Sequence, residues 1–98
     1  MNKALHLISL AQKAGRVKTG EFLTMKAVKE GAAHLVVIAT DTSEKARDRI
    51  LKICDSFACK TAVFGSKADL GHFTGARSKS VLCITDEGLS KAFLKLME

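Results

Sequence analysis

The sequence predicts an α/β fold: a three-layer α-β-α sandwich on a four-stranded mixed sheet, with helices on both faces. Three observations carry this. Apolar periodicity switches between helix and strand along the whole chain, in the order α-β-α-β-α-β-α-β-α. The run His34-Leu-Val-Val-Ile-Ala-Thr40 is apolar through its middle and β-branched, as befits a strand covered on both faces. Ninety-eight residues without proline or low-complexity sequence suit one domain, residues 1–98, with no linker and no internal repeat.

Each element has its own justification. Residues 3–14 read as a first helix with a stripe of Ala4, Leu7, Ile8, Leu10, Ala11 and Ala14, and Gly15 ends it. Arg16–Thr19 reads as a short strand that can pair antiparallel at one side of the sheet. Residues 21–30 read as a second helix, stopped at Gly31, with Phe22, Lys26 and Lys29 on one face and Leu23, Ala27 and Val28 on the other. After the strand at 34–40, Asp41 is placed to cap a third helix, with Glu44 reaching back. That helix should turn Ala46, Ile50, Ile53, Cys54 and Phe57 inward. Thr61–Phe64 reads as the third strand. Ser66 and Asp69 form a capping pattern for a short fourth helix, interrupted at Gly71 or Gly75. Val81–Thr85 reads as the fourth strand. Asp86 caps a last helix with Leu89, Ala92, Phe93 and Leu96 toward the core, its start blurred by Gly88. Helical links between the second, third and fourth strands suggest parallel crossovers.

Composition narrows the function. Apolar residues at 47% and charged residues at 27% describe a globular chain. No apolar stretch approaches the roughly 20 residues of a membrane span, and the N-terminus lacks the pattern of a signal peptide, so a cytoplasmic protein is expected. Cys54, Cys59 and Cys83 lie in apolar settings without zinc-ligand spacing and read as free thiols. His6, His34 and His72 have no nucleophile or carboxylate pattern around them. Gly65-Ser-Lys67 lacks the earlier glycine of a phosphate-binding loop. No acid, base, nucleophile, metal or cofactor set assembles, which argues against an enzyme.

Charge points to nucleic acid. Sixteen Lys and Arg against ten Asp and Glu give +6. The distribution matters more: Lys13 to Lys29 holds five basic residues and one acid, Glu21, whereas the segment around Arg47 is balanced. The chain is organised around Arg16–Lys29, where a strand turns at Gly20 into a helix whose first N–H groups attract phosphate. Gly75-Ala-Arg-Ser-Lys-Ser80 forms a second basic segment, read as a flexible loop. If both share one edge of the sandwich they form one cationic surface. Lys18, Thr19, Gly20, Glu21, Phe22, Lys26, Lys29, Arg77, Ser78 and Lys79 are then the candidate RNA-binding residues. Gly20 and Glu21 would offer backbone N–H groups; Lys18, Lys26 and Lys79 would meet phosphate; Arg77 would stack or make a forked contact; Phe22 would stack on a base.

Several short motifs in order resemble one family. They are Leu-x-x-x-Ala-x-Lys-Ala-Gly at Leu7–Gly15 (with Ser9 and Gln12 among the intervening residues), Gly20-x5-Lys26-Ala-Val-x-x-Gly31, His34–Asp41, Ser66–Gly71 and Cys83–Gly88. The chain is similar over nearly its whole length to the kink-turn RNA-binding ribosomal proteins of the L-seven-Ae / L-thirty-e type, most of all their bacterial YlxQ-like branch. The resemblance implies an α-β-α sandwich that binds structured RNA, ribosomal or ribosome-associated, without catalysis. The family's signature is Gly-x-Asn-Glu-x-x-Lys, and Gly20 and Lys26 match its ends. Its Asn and Glu, which read guanine edges of sheared G·A pairs, are Phe22 and Leu23 here. These cannot make those hydrogen bonds, at a cost of about 1–3 kcal/mol. The family's second contact, the loop before the last strand, is here the basic Ala76–Ser80. The alternative is a protein–protein adaptor that keeps the fold without base reading, with Phe22 and Leu23 as its hot spot. A monomer is expected for so small a basic domain.

Overall fold

The computed structural model describes residues 2–97. In chain order the elements are α1 (Lys3–Lys13), β1 (Val17–Thr19), α2 (Glu21–Lys29), β2 (Leu35–Ile38), α3 (Glu44–Ser56), β3 (Thr61–Val63), α4 (Lys67–His72), β4 (Val81–Ile84) and α5 (Glu87–Met97). The strands form one mixed sheet in the order β1-β4-β2-β3. β2 and β3 are parallel, while β4 runs antiparallel to both β1 and β2.

β4 departs from the parallel crossover expected of it. The reason lies in α4, only six residues long. It sits at the end of the sheet where β3 finishes, and it does not carry the chain back along the sheet. The chain therefore re-enters from that same end, with Val81 beside Ile38, the last residue of β2.

Side-chain alternation on the two central strands feeds two cores. Leu35, Val37, Leu82 and Ile84 pack with Ala4, Leu5, Ile8, Leu70 and Phe93, so α1, α4 and α5 cover one face. Val36, Ile38, Val81 and Cys83 pack with Met25, Val28, Ile50 and Cys54, so α2 and α3 cover the other. Every residue of β2 and β4 is fully buried, as strands covered on both faces must be.

Residues at the margins of the predicted stripes behave differently from expectation. In α1, Leu5 turns inward while Leu10 is 61% exposed and Ala14 is also exposed. In α2, Thr24 takes the buried place beside Met25, and Leu23 is 45% exposed. Phe57 is 50% exposed because α3 ends at Ser56 and the capping residue leaves the helical register. In α5, Ser90 and Phe93 are buried, whereas Ala92 and Leu96 face outward.

The caps follow local chemistry. Asn2 accepts from the amides of Ala4 and Leu5, at 2.9 and 3.2 Å. Ser66 and Asp69 form the reciprocal box expected of them, and Asp86 accepts from Leu89 N–H at 2.8 Å. Asp41 does not cap α3. Ser43 does, accepting from Ala46 N–H at 3.2 Å, and Asp41 instead accepts from the Lys67 amide at 2.8 Å. Gly71 does not interrupt α4, which runs through it to His72.

The three cysteines are free, Cys54 and Cys83 buried and Cys59 half-buried. Burial pushes the Cys54 thiol up to about 12 and Cys83 to about 11, which keeps both as unreactive core side chains. No helix among the described residues is long and apolar enough to cross a membrane.

Candidate nucleic-acid interface

The end of the sheet where β1, β2 and β3 finish and β4 begins gathers both basic segments. β1 delivers the chain to Gly20 with Thr19 opposite Leu82. Gly20 adopts φ 86° and ψ 161°, a conformation that a Cβ would oppose, and α2 begins at the next residue. The Gly20 N–H, expected to face phosphate, is already spent: it donates to the Val81 carbonyl at 2.9 Å. That bond welds the turn to β4. The amides of Glu21, Phe22 and Leu23 carry the orphan positions of the helix start, and Gly20 has no side chain to cap them. Thr24 N–H is the first to bond back, to the Gly20 carbonyl at 3.1 Å.

The second segment meets the first at this turn. The Lys79 ammonium lies 3.8 Å from the point where a Gly20 Cβ would stand. The expected flexible loop is tied down at several points. Ala76 N–H donates to the Gly71 carbonyl at 2.8 Å and Lys79 N–H to the Lys67 carbonyl at 3.0 Å. The Ser80 carbonyl accepts from Ala39 N–H at 2.8 Å and from Thr42 Oγ1 at 2.9 Å. Arg77 and Ser78 are left exposed at the tip, while Lys79 is half-buried toward Gly20.

The outer face of α2 carries Phe22, 79% exposed, with Lys26 and Lys29. Lys18 on β1 is exposed and shares a shallow hollow of about 170 Å³ with Leu23 and Lys26. Leu23 thus lies among the cations on the outward side, opposite to its expected inward place.

Glu21 is the one acid of the basic stretch, and its carboxylate is taken. Arg49 of α3 donates from Nε at 2.6 Å and from a terminal nitrogen at 2.8 Å, a forked pair. The hydrogen bond from Arg49 holds the Glu21 carboxyl below its ordinary value. Because the folded value is lowered, the pair's stabilisation is whole above the free carboxylate value, about 4.3, and fades as pH falls through the folded one. Urea midpoints of the wild type and Glu21→Gln should therefore differ at neutral pH and converge in acid. The pair is partly exposed, so the neutral-pH gap is expected to be small.

Arg49 borders the candidate site without any signal in the sequence. It sits in a charge-balanced helix, 28 residues from its partner, and only the packing of α2 on α3 brings the two together. Lys67, Thr42 and Ser80, which fix the second loop, left no spacing signal either. The histidines gather no chemistry: His6 and His72 pack edgewise near Phe73, with ring centroids 6.0 and 5.0 Å away. No group of three metal-capable side chains forms among the described residues.

The family described as ribosomal protein L7Ae/L30e/S12e/Gadd45 matches residues 2–94. The RNA-binding protein YlxQ of Enterococcus faecium is 30% identical, over 98% of this chain and 92% of that protein. Its namesake from Bacillus subtilis is 27% identical, over 94% of this chain and 92% of that protein. The large ribosomal subunit protein eL8 of Thermoplasma volcanium is 31% identical, over 95% of this chain and 78% of that protein. Among solved structures, a protein of unknown function from Bacillus halodurans superposes with a TM-score of 0.94 at 30% identity, covering 99% of this chain and 98% of that one. The Giardia lamblia 15.5kD RNA binding protein shares the fold, with a TM-score of 0.76 at 24% identity, covering 94% and 79%.

Proposed function

We propose, from the premise that this chain belongs to the ribosomal protein L7Ae/L30e/S12e/Gadd45 family, that it is a non-enzymatic protein that binds structured, ribosome-associated RNA with a kink-turn-like bend. The observation that carries the reading is the approach of the Lys79 ammonium to the turn at Gly20. It joins an uncapped helix start and a basic loop into one seat for phosphate. The names of the YlxQ and eL8 relatives support the same reading.

The residues divide the work. Amides at the start of α2 and Lys79 hold one phosphate. Lys18, Lys26 and Lys29 follow the strand along α2, and Arg77 and Ser78 reach from the loop tip. Arg49 neutralises Glu21, which would otherwise repel the backbone from this seat. Phe22 and Leu23 offer no polar atoms to a guanine edge, so recognition of the bend runs through shape and backbone.

The test is a binding titration with a kink-turn RNA and with the same RNA carrying Watson–Crick pairs in place of its G·A pairs. Tighter binding to the first supports recognition of the bend; equal binding leaves a general structured-RNA surface. Lys26→Ala should weaken binding to either RNA and lower the salt slope by about one. Unchanged affinity in both Lys26→Ala and Arg77→Ala would remove the surface from consideration. The exposure of Phe22 and Leu23 favours one other reading, a protein partner at this edge. A partner that co-purifies after nuclease treatment and is lost on Phe22→Ala would carry it.

A further inference from the structure

We infer that the groove between α2 and α3 receives one unpaired nucleotide of the bound RNA, its base against the Phe22 ring and its phosphate at Lys26 and Lys29. The inference rests on the RNA-binding reading and adds a subsite that continues from the Gly20 turn along α2. The groove is open to solvent and offers about 600 Å³, within the range of sites that hold a small organic group. Met25 and Ile53 supply an apolar lining, and Phe22 stands at its rim. An aromatic ring 79% exposed at the mouth of an apolar groove is a stacking platform, and every base has a π-face to lay on it.

Charge selects the occupant. Neither Lys26 nor Lys29 has an ion-pair partner among the described residues. The one acid of the lining, Glu21, is engaged by Arg49. The groove therefore presents an apolar slot beneath two unneutralised cations, which suits a flat base with an attached phosphate. Continuity selects RNA over a protein segment. Phe22 belongs to the first turn of α2, whose amides form the phosphate seat. Lys26 and Lys29 stand about 6 and about 10 Å further along the same helix, a spacing that lets a strand leaving the seat continue directly into the groove.

The experiment uses a kink-turn hairpin and a series derived from it, each with one extra unpaired 2-aminopurine nucleotide scanned around the bend. At one scan position, wild-type protein should quench the fluorescence and bind on the order of tenfold tighter than to the parent hairpin. Phe22→Ala should abolish both effects. Lys29→Ala, an exposed change with little bearing on folding, should weaken parent-hairpin binding by the loss of one phosphate contact and, beyond that, abolish the affinity gain of the extra nucleotide over the parent. Tight binding to the parent with no gain or quenching at any position overturns the groove assignment and leaves the RNA reading standing. No binding to any of these RNAs overturns both. A concentration-dependent dimer lost on Phe22→Ala gives the groove to a second copy of the chain and also overturns the assignment.

Discussion

Gly71→Ala is expected to destabilise the protein and, more severely, to detach the basic loop Ala76–Ser80 that we propose faces RNA. Gly71 lies inside α4, where alanine would ordinarily gain about 1 kcal/mol of helix propensity. Here a Cβ would stand 2.5 Å from the Ser78 amide nitrogen, 2.6 Å from the Arg77 carbonyl carbon and 2.6 Å from Ser78 Cα. These are backbone atoms, so no rotamer change relieves the clash. The loop must move as a piece. Overpacking of this kind costs about 1–3 kcal/mol, and contacts of 2.5–2.6 Å to backbone put it in the upper part of that range, above the propensity gain. Displacement also threatens the anchoring bonds from Ala76 to Gly71, from Lys79 to Lys67 and from Ala39 to Ser80. Lys79 then leaves its place beside Gly20. Urea unfolding should show a lower midpoint at nearly unchanged slope. RNA affinity measured at a temperature where the variant remains folded should fall on the order of tenfold or more, because the phosphate seat loses its ammonium and the loop tip no longer reaches the strand. Wild-type affinity in a folded Gly71→Ala protein would show that the loop takes no part in binding.

The same loop marks the boundary of what the sequence made legible. The alternation of helix and strand could be read because each amphipathic stripe is local. Ile8, Ile50 and Phe93 fell where periodicity put them, fully buried. Leu10, Leu23 and Leu96 were misplaced because they stand at the edges of their stripes, where a small rotation of the helix on the sheet decides between core and solvent. The direction of β4 was not legible, since it depends on which end of the sheet the chain re-enters after α4. At the site, spacing alone singled out Gly20, Lys26 and the basic loop. It could not reveal that the Gly20 N–H is committed to Val81, nor that Arg49 holds Glu21, because both are contacts between segments distant in sequence. Nor could it reveal why Gly71 must be glycine: the reason is a loop that crosses α4 at backbone distance, and nothing in a helical stretch announces its neighbour.

The largest single effect should come from salt. Lys79 stands at the Gly20 turn, Lys18 shares a hollow with Lys26, Lys29 follows Lys26 along α2, and Arg77 is exposed at the loop tip; none of them has an ion-pair partner among the described residues. Each phosphate they neutralise releases condensed counterions, so affinity should fall on the order of 10²–10³-fold between about 50 and about 200 mM salt if about five contacts form. Arg49 serves as an internal control. It is a cation at the same edge, but its charge is balanced by Glu21 in a forked pair, so it should add nothing to the slope. Arg49→Gln should nevertheless weaken binding, because it frees the Glu21 carboxylate beside the phosphate seat. Glu21→Gln in the same background should restore much of the loss. A double-mutant cycle measured at several salt concentrations separates the two roles. Lys26→Ala lowers the slope, whereas Arg49→Gln shifts affinity with little change in slope. A flat salt profile for the wild-type complex would mean that these cations do not face phosphate at all, and the bound surface would have to be sought among Phe22, Leu23 and their apolar neighbours.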